Sequence, residues 1–303
     1  MFGKTRKSLG VVGLSAAAML LGGLMSLAAP APAHAADDTI EFGWTAWVGA
    51  EFNTKLAKAI IENNWDYDVE LSMSAIALQF QGVASGDIDG MLMAWLPDTH
   101  ADYWQRYQDN LVDLGTIFEG AKLGLVVPDY VPKDKLGSIE DLSKPEIRQK
   151  LDATITGIDP GAGIMRLAKK TVQAYDLDYE VQSSSGAAMT AALGSAIEED
   201  RWLVVTGWTP HWMFGRWDLR FLDDPKGTMG GPQHVDIMVR EGFKEDYPEV
   251  ASFLSNMHIP LDTLQDYLYV AQQHDFDTAV NQFINEQQDM IQGWLGNDAA
   301  GAG

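Results

Sequence analysis

The run Ala94-Trp95-Leu96-Pro97-Asp98-Thr99-His100 sets an indole and an imidazole five residues apart. An indole face attracts a cation, and an imidazole N–H can donate a hydrogen bond to an anion. The run follows Ile88–Met93, an apolar stretch short enough for a buried strand. Pro97 cannot continue a sheet ladder, so that strand should end near Trp95. In open α/β sheets, ligands lie outside the carboxyl ends of the strands. Placed there, Trp95 and His100 could hold a small zwitterion by its two ends.

Three further places follow directly on predicted strands: Trp47, Gly161–Ile164 and Trp208. Trp44 is separate, because it continues the Ile40-Phe42 strand face and reads as core, whereas Trp47 lies beyond the strand and belongs to the cleft. Three indole faces around a quaternary ammonium would each contribute about 0.5–2 kcal/mol, the upper end when the cleft is dry. Such a group donates no hydrogen bond, so an aromatic enclosure suits its bulk and diffuse charge. A carboxylate at the opposite end needs donors. The backbone N–H groups of Gly163 and Ile164 open a predicted helix, where they are unpaired and lie at its positive end. His100 is a milder donor than Arg, whose permanent charge would repel a nearby ammonium.

These positions require an alternating α/β chain. Ile40, Phe42 and Trp44 alternate as on a strand, Phe52, Leu56 and Ile60 recur at helical spacing, and Val69, Leu71 and Met73 alternate again. Ile76, Phe80 and Val83 predict a second helix before the strand that reaches Trp95, completing β-α-β-α-β. Leu123–Val127 reads as a strand running into Pro128 and Pro132. The middle section repeats the pattern: a Ser138/Asp141 capping box, a strand over Ala153–Ile158, the loop Asp159–Gly163, and a helix carrying Ile164, Leu167, Ala168, Thr171 and Val172. Val181 lies in the next strand, and Met189, Ala192, Leu193, Ala196 and Ile197 form a helical stripe. Trp202–Thr206 is a strand ending at Gly207-Trp208, and Val235, Ile237 and Val239 a strand that could return to the first half. The last third is helical, with Pro248 in a first turn and Asp262 and Asp277 as caps, before a Gly/Ala tail that should fray after Asn297. The expected fold class is α/β with two lobes, each a sheet flanked by helices: residues 36–126 with 234–303, and residues 127–233. The candidate residues would meet across the cleft between them.

Residues 1–35 read as a cleavable export signal, with Lys4, Arg6 and Lys7 before an apolar stretch and Ala33-His34-Ala35 at the cut. Loss of those three cations deepens the net charge from -22 to -25. That balance argues against nucleic acid or anionic lipid as a partner. It favours solubility and fits either a salty exterior or an ordinary acidic secreted protein. The absence of cysteine excludes disulfides. Other constellations are weaker. His234, His258 and His274 lack metal-ligand spacing, Asp87-x-Asp89 falls short of a calcium loop and reads as a solvated turn, and Gly161-x-Gly163 lacks the rest of a dinucleotide fingerprint. His211 reads as a local hydrogen bond to its loop, and there is no recognisable nucleophile elbow.

On the segments Gly86–His100, Gly157–Met165 and Val204–Trp212, the chain resembles the periplasmic glycine betaine/proline betaine-binding proteins of ABC transporters. The resemblance extends over essentially the whole mature chain. It implies a type II periplasmic binding protein with its ligand in the interlobe cleft. By position it implies a Trp prism of Trp47, Trp95 and Trp208 around the trimethylammonium, and carboxylate contacts from His100, Gly163 and Ile164. It further implies a monomer in the periplasm that uses no metal or cofactor, is no enzyme and passes its ligand to a membrane permease. A choline or carnitine binder is the alternative of the same kind; an exported hydrolase of a small cationic ester is the alternative from another class.

Overall fold

Alternating apolar residues build two parallel strands, β1 (Thr39–Trp44) and β2 (Asp68–Met73), joined by helix α1 (Val48–Asn64). The structure is a computed structural model that describes residues 38–296. The expected leader over residues 1–35 and the tail after Asn297 lie outside them. Helix α1 buries Phe52, Leu56, Ile60 and Ile61, the stripe its spacing predicts. Helix α2 (Ile76–Ser85) buries Ile76, Phe80 and Val83 and leads into β3 (Gly90–Leu96), which pairs parallel to β1. After α3 (Ala101–Tyr107) the chain enters β4 (Leu111–Pro128), an 18-residue strand.

Strand β4 is much longer than the Leu123–Val127 run that the apolar pattern marks. Its first part contains Asp113, Gly115, Glu119 and Gly120, and its register shifts between Asp113/Gly115, Thr116/Phe118 and Glu119/Ala121. Each irregularity interrupts the period-2 alternation by which a strand is read from sequence. Up to Ala121, β4 pairs antiparallel with β9 (Gln233–Arg240); from Lys122 it pairs antiparallel with β7 (Val205–Thr209). One strand thus runs through both parts of the sheet.

Between these pairings lie a short turn with the expected Ser138/Asp141 capping box, α4 (Pro145–Lys150), β5 (Thr154–Thr156), α5 (Gly163–Ala174), β6 (Glu180–Gln182) and α6 (Gly186–Glu198). After β7 come α7 (Met213–Arg216) and β8 (Leu219–Phe221), which pairs with β4. The strand order is β2-β1-β3-β9-β4-β7-β5-β6. Strand β9 therefore returns to pair with both β3 and β4, as its alternation predicts. Helices α8 (Phe243–Asp246), α9 (Pro248–Asn256), α10 (Leu261–Gln273), α11 (Phe276–Glu286) and α12 (Gln288–Trp294) complete the described chain.

Three local expectations need correction. Strand β7 begins at Val205 rather than Trp202 and includes Gly207 and Trp208, because Gly207 allows close approach to β4. A Cβ there would lie 2.5 Å from Val126 Cγ2. Neither Asp262 nor Asp277 caps a helix: Pro260 precedes α10, and Asp275 caps α11 by accepting from Thr278 N at 2.6 Å. Finally, Asp89 is no solvated turn residue. Its carboxylate accepts from Glu41 N and from Arg240 Nε, both at 2.7 Å, and Arg240 Nη1 also meets Asp246 at 2.7 Å. This pair joins β1, the start of β3 and the end of β9, with the Asp89 and Arg240 side chains only 14% and 19% exposed.

Removing one partner of a mostly buried pair leaves an uncompensated charge. Asp89→Ala should therefore destabilise the fold by about 3 kcal/mol. Urea unfolding of the two proteins measures this, and a loss under about 1 kcal/mol would mark Asp89–Arg240 as an ordinary surface pair.

Candidate functional site

Two strand ends, one helix start and the crossing of β4 surround a cavity with about 540 Å³ of space not filled by atoms, part of it open to solvent. Trp47, Trp95, Trp208, His100, Gly163 and Ile164 all line it. The sequence reading and the geometry thus bring the same six residues together. Trp44 does not line it; it sits at the end of β1, partly buried and packed against the core, as its alternation implies.

Trp47 precedes α1 in extended backbone (φ -117°, ψ 140°), which turns its side chain out of the helix and into the cavity wall. Its indole N–H donates to Asp159 Oδ2 at 3.1 Å, and its ring stacks on His100 with centroids 6.0 Å apart and planes at 24°. At 9% exposure it is better buried than Trp44. Trp95 is next to last in β3 and meets Phe118 edge-on at 6.0 Å. Trp208 is held in β7 opposite Leu123, with His211 edge-on at 4.7 Å.

His100 is 1% exposed. Its Nδ1 accepts from the backbone N–H of Trp95 at 3.0 Å, so the ring proton of the neutral form resides on Nε2. That nitrogen is buried and has no protein partner. Burial first, and the nearby Arg166 charge second, push its pKa down to about 3. The ring is therefore a neutral donor across the physiological range.

Opposite it, α5 begins at Gly163. The first N–H groups of a helix have no intrahelical acceptor, so those of Gly163 and Ile164 are available to an anion. Glycine is required here by close approach, since a Cβ at 163 would lie 2.0 Å from the Thr99 carbonyl oxygen. The start of α5 thus packs directly on the loop that carries His100. In chemical terms, the cavity offers aromatic faces together with neutral N–H donors.

Sequence reasoning missed several wall residues. Asp159 reads from the sequence only as a loop residue, and from that loop it accepts the Trp47 indole N–H. Phe118 lies in the irregular part of β4 that carried no strand signal. Asn53, 1% exposed with an unpartnered Oδ1, lines the cavity from the buried face of α1, where an apolar stripe gives no reason to single it out. His211 does bond to its own loop, accepting from Met213 N at 3.2 Å, and burial pushes its pKa to about 3. Among the described residues no cluster of His, Asp and Glu is placed to hold a metal, and no helix is long and apolar enough to cross a membrane.

An α/β sheet continued by antiparallel strands thus carries an aromatic cavity at the strand ends. The comparisons specify it further. The family model for the substrate-binding domain of ABC-type glycine betaine transport systems matches residues 38–286, so the chain belongs to that family. Lactococcal OpuAC, in a closed conformation complexed with glycine betaine, superposes with a TM-score of 0.79 at 35% identity, covering 86% of this chain and all of that one. The glycine betaine/L-proline-binding protein ProX of Borrelia burgdorferi gives 0.79 at 30% identity, covering 84% and 96%. The glycine betaine/carnitine transport binding protein GbuC of Listeria monocytogenes is 39% identical over 156 residues, half of this chain. The chain spans about half of GbuC's length, 52%.

Both buried histidines are neutral in the fold and ordinary, near pH 6.5, once unfolded. A depressed folded pKa means that acid favours the unfolded chain, which binds the proton first. Their contribution is intact above pH 6.5 and declines below it, by about 1.4 kcal/mol per pH unit for each ring. His100→Gln and His211→Gln should each make stability fall less steeply between pH 6 and pH 4. Urea midpoints at several pH values check this, and slopes equal to the parent's would show that these rings protonate without unfolding.

Proposed function

We propose that this protein captures glycine betaine, with the trimethylammonium among Trp47, Trp95 and Trp208 and the carboxylate on His100 Nε2, Gly163 N and Ile164 N. The observation that carries this reading is the buried Nε2–H of His100, which has no protein acceptor. A buried donor without a partner is costly, and a ligand carboxylate would satisfy it while the indoles hold the opposite charge. Choline has no carboxylate to offer. The same arrangement contains no activated nucleophile, which favours binding over hydrolysis of a cationic ester.

In this reading the chain works as two lobes, 36–126 with 234–303 and 127–233, that close on the ligand. Trp47, Trp95 and His100 come from the first lobe; Trp208, Gly163 and Ile164 come from the second. The cage is complete only when both meet, so closure can report occupancy to a membrane permease. The protein acts as an exported, periplasmic monomer without cofactor.

Calorimetry and intrinsic Trp fluorescence with glycine betaine and choline test the assignment. His100→Ala should weaken glycine betaine by about 1.5–3 kcal/mol and choline much less. Trp47→Phe should keep part of the affinity, because a smaller aromatic face remains, whereas Trp44→Ala should leave it unchanged. Equal losses of both ligands in His100→Ala would make His100 structural. Release of a hydrolysis product from a cationic ester would replace the binding reading with the enzymatic one.

A further inference from the structure

The loop that carries His100 and the start of α5 are tied together by a residue outside the cavity. Arg166 lies three positions after Gly163, on the same face of α5. Its Nη2 donates to Asp98 O at 2.7 Å and to Thr99 O at 3.4 Å, the two carbonyls just before His100. Its Nε faces Asp102 Oδ2 at 3.3 Å, but that carboxylate is 68% exposed and therefore largely screened. The Asp98 carboxylate is engaged elsewhere, accepting from Gly231 N and Gln233 Nε2, both at 3.0 Å.

Arg166 lines a second groove, outside the cage, whose walls include Thr99 and Gly163. Arg106, Lys169 and Lys170 line the same groove, and among the described residues none of these three forms an ion pair. The chain carries 43 acidic and 21 basic residues, so four cations lining one groove stand against its overall sign. They gather behind the donors. A cation in the cavity would compete with the ligand ammonium, whereas one behind the loop leaves the cage free and still favours negative charge at the donor end.

We propose that Arg166 is a positioning residue that sets the preference of this site for a ligand ending in a carboxylate over a quaternary-ammonium alcohol such as choline. Its fork holds the Asp98–His100 loop on α5, and its charge lies behind the donors. The inference rests on the betaine-binding reading above. Lys would keep the charge but not the planar fork, and Gln would lose the charge.

Calorimetric titration of the parent, Arg166→Lys and Arg166→Gln with glycine betaine and with choline tests it. In Arg166→Gln, glycine betaine should weaken about tenfold, the effect of one removed charge at a screened distance, and choline less than about threefold. Arg166→Lys, which keeps the charge and loses the fork, should fall between the parent and Arg166→Gln. Melting curves without ligand should stay near the parent's, since the side chain is 39% exposed. Equal losses of both ligands, equal losses in the Lys and Gln variants, or no loss at all would each overturn the role of Arg166. A parent protein that binds no glycine betaine would instead remove the reading beneath it.

Discussion

The hydrogen bond from Trp95 N–H to His100 Nδ1 determines what the site can do. It fixes the tautomer, and burial keeps the ring neutral. With Nδ1 occupied, the proton is on Nε2, and that N–H has no protein partner. An unsatisfied buried donor costs about 1–3 kcal/mol, a penalty that an anionic ligand group would relieve. The ring is also a wall: Trp47 stacks on one side, while Phe80 and Tyr103 meet it edge-on at 5.5 and 6.0 Å. The imidazole is held by aromatic contacts on several sides, so its orientation follows from packing as well as from hydrogen bonding.

The sheet makes this arrangement possible. Phe118 and Leu123 both line the cavity, and they stand on either side of the point where β4 leaves β9 for β7. The floor of the cavity is thus the place where one strand passes between the two parts of the sheet. β3 delivers Trp95 and, through its following loop, His100; β7 delivers Trp208. Both strands pair next to this crossing strand or to its neighbour β9, which explains how residues more than a hundred positions apart reach one cavity.

Much of this was legible in the sequence. Trp47, Trp95 and Trp208 stand out because three indoles follow predicted strand ends, where a single one would read as core, and His100 because it follows Trp95 beyond a strand-ending proline. Gly163 and Ile164 stand out because their unpaired N–H groups open the helix that follows a predicted strand. What stayed hidden has a common physical cause. Asp159, Phe118 and Arg166 act through partners far away in the chain, and nothing local marks them. Asn53 occupies a helix position that reads as core. The first part of β4 lost its signal because its irregular register mixes glycines and acids into the alternation. Trp44 is a partial case: period-2 spacing puts it on the buried face, and at the end of β1 it packs against the core while only partly buried.

The acidity of the chain bears on selectivity in a direction opposite to intuition. A net charge of -22 over the full sequence attracts cations, and so favours choline at long range. A zwitterion carries no net charge and gains nothing from a uniform potential. It responds only to a difference in potential over its own length, which must be built within the site. At physiological ionic strength the long-range field decays over about 8 Å, so a salty medium removes choline's advantage without affecting the buried donors. If the ligand is the betaine proposed above, discrimination falls to His100, Gly163 and Ile164. Neutral donors suit that task, because they strengthen on meeting a carboxylate and leave a ligand ammonium undisturbed.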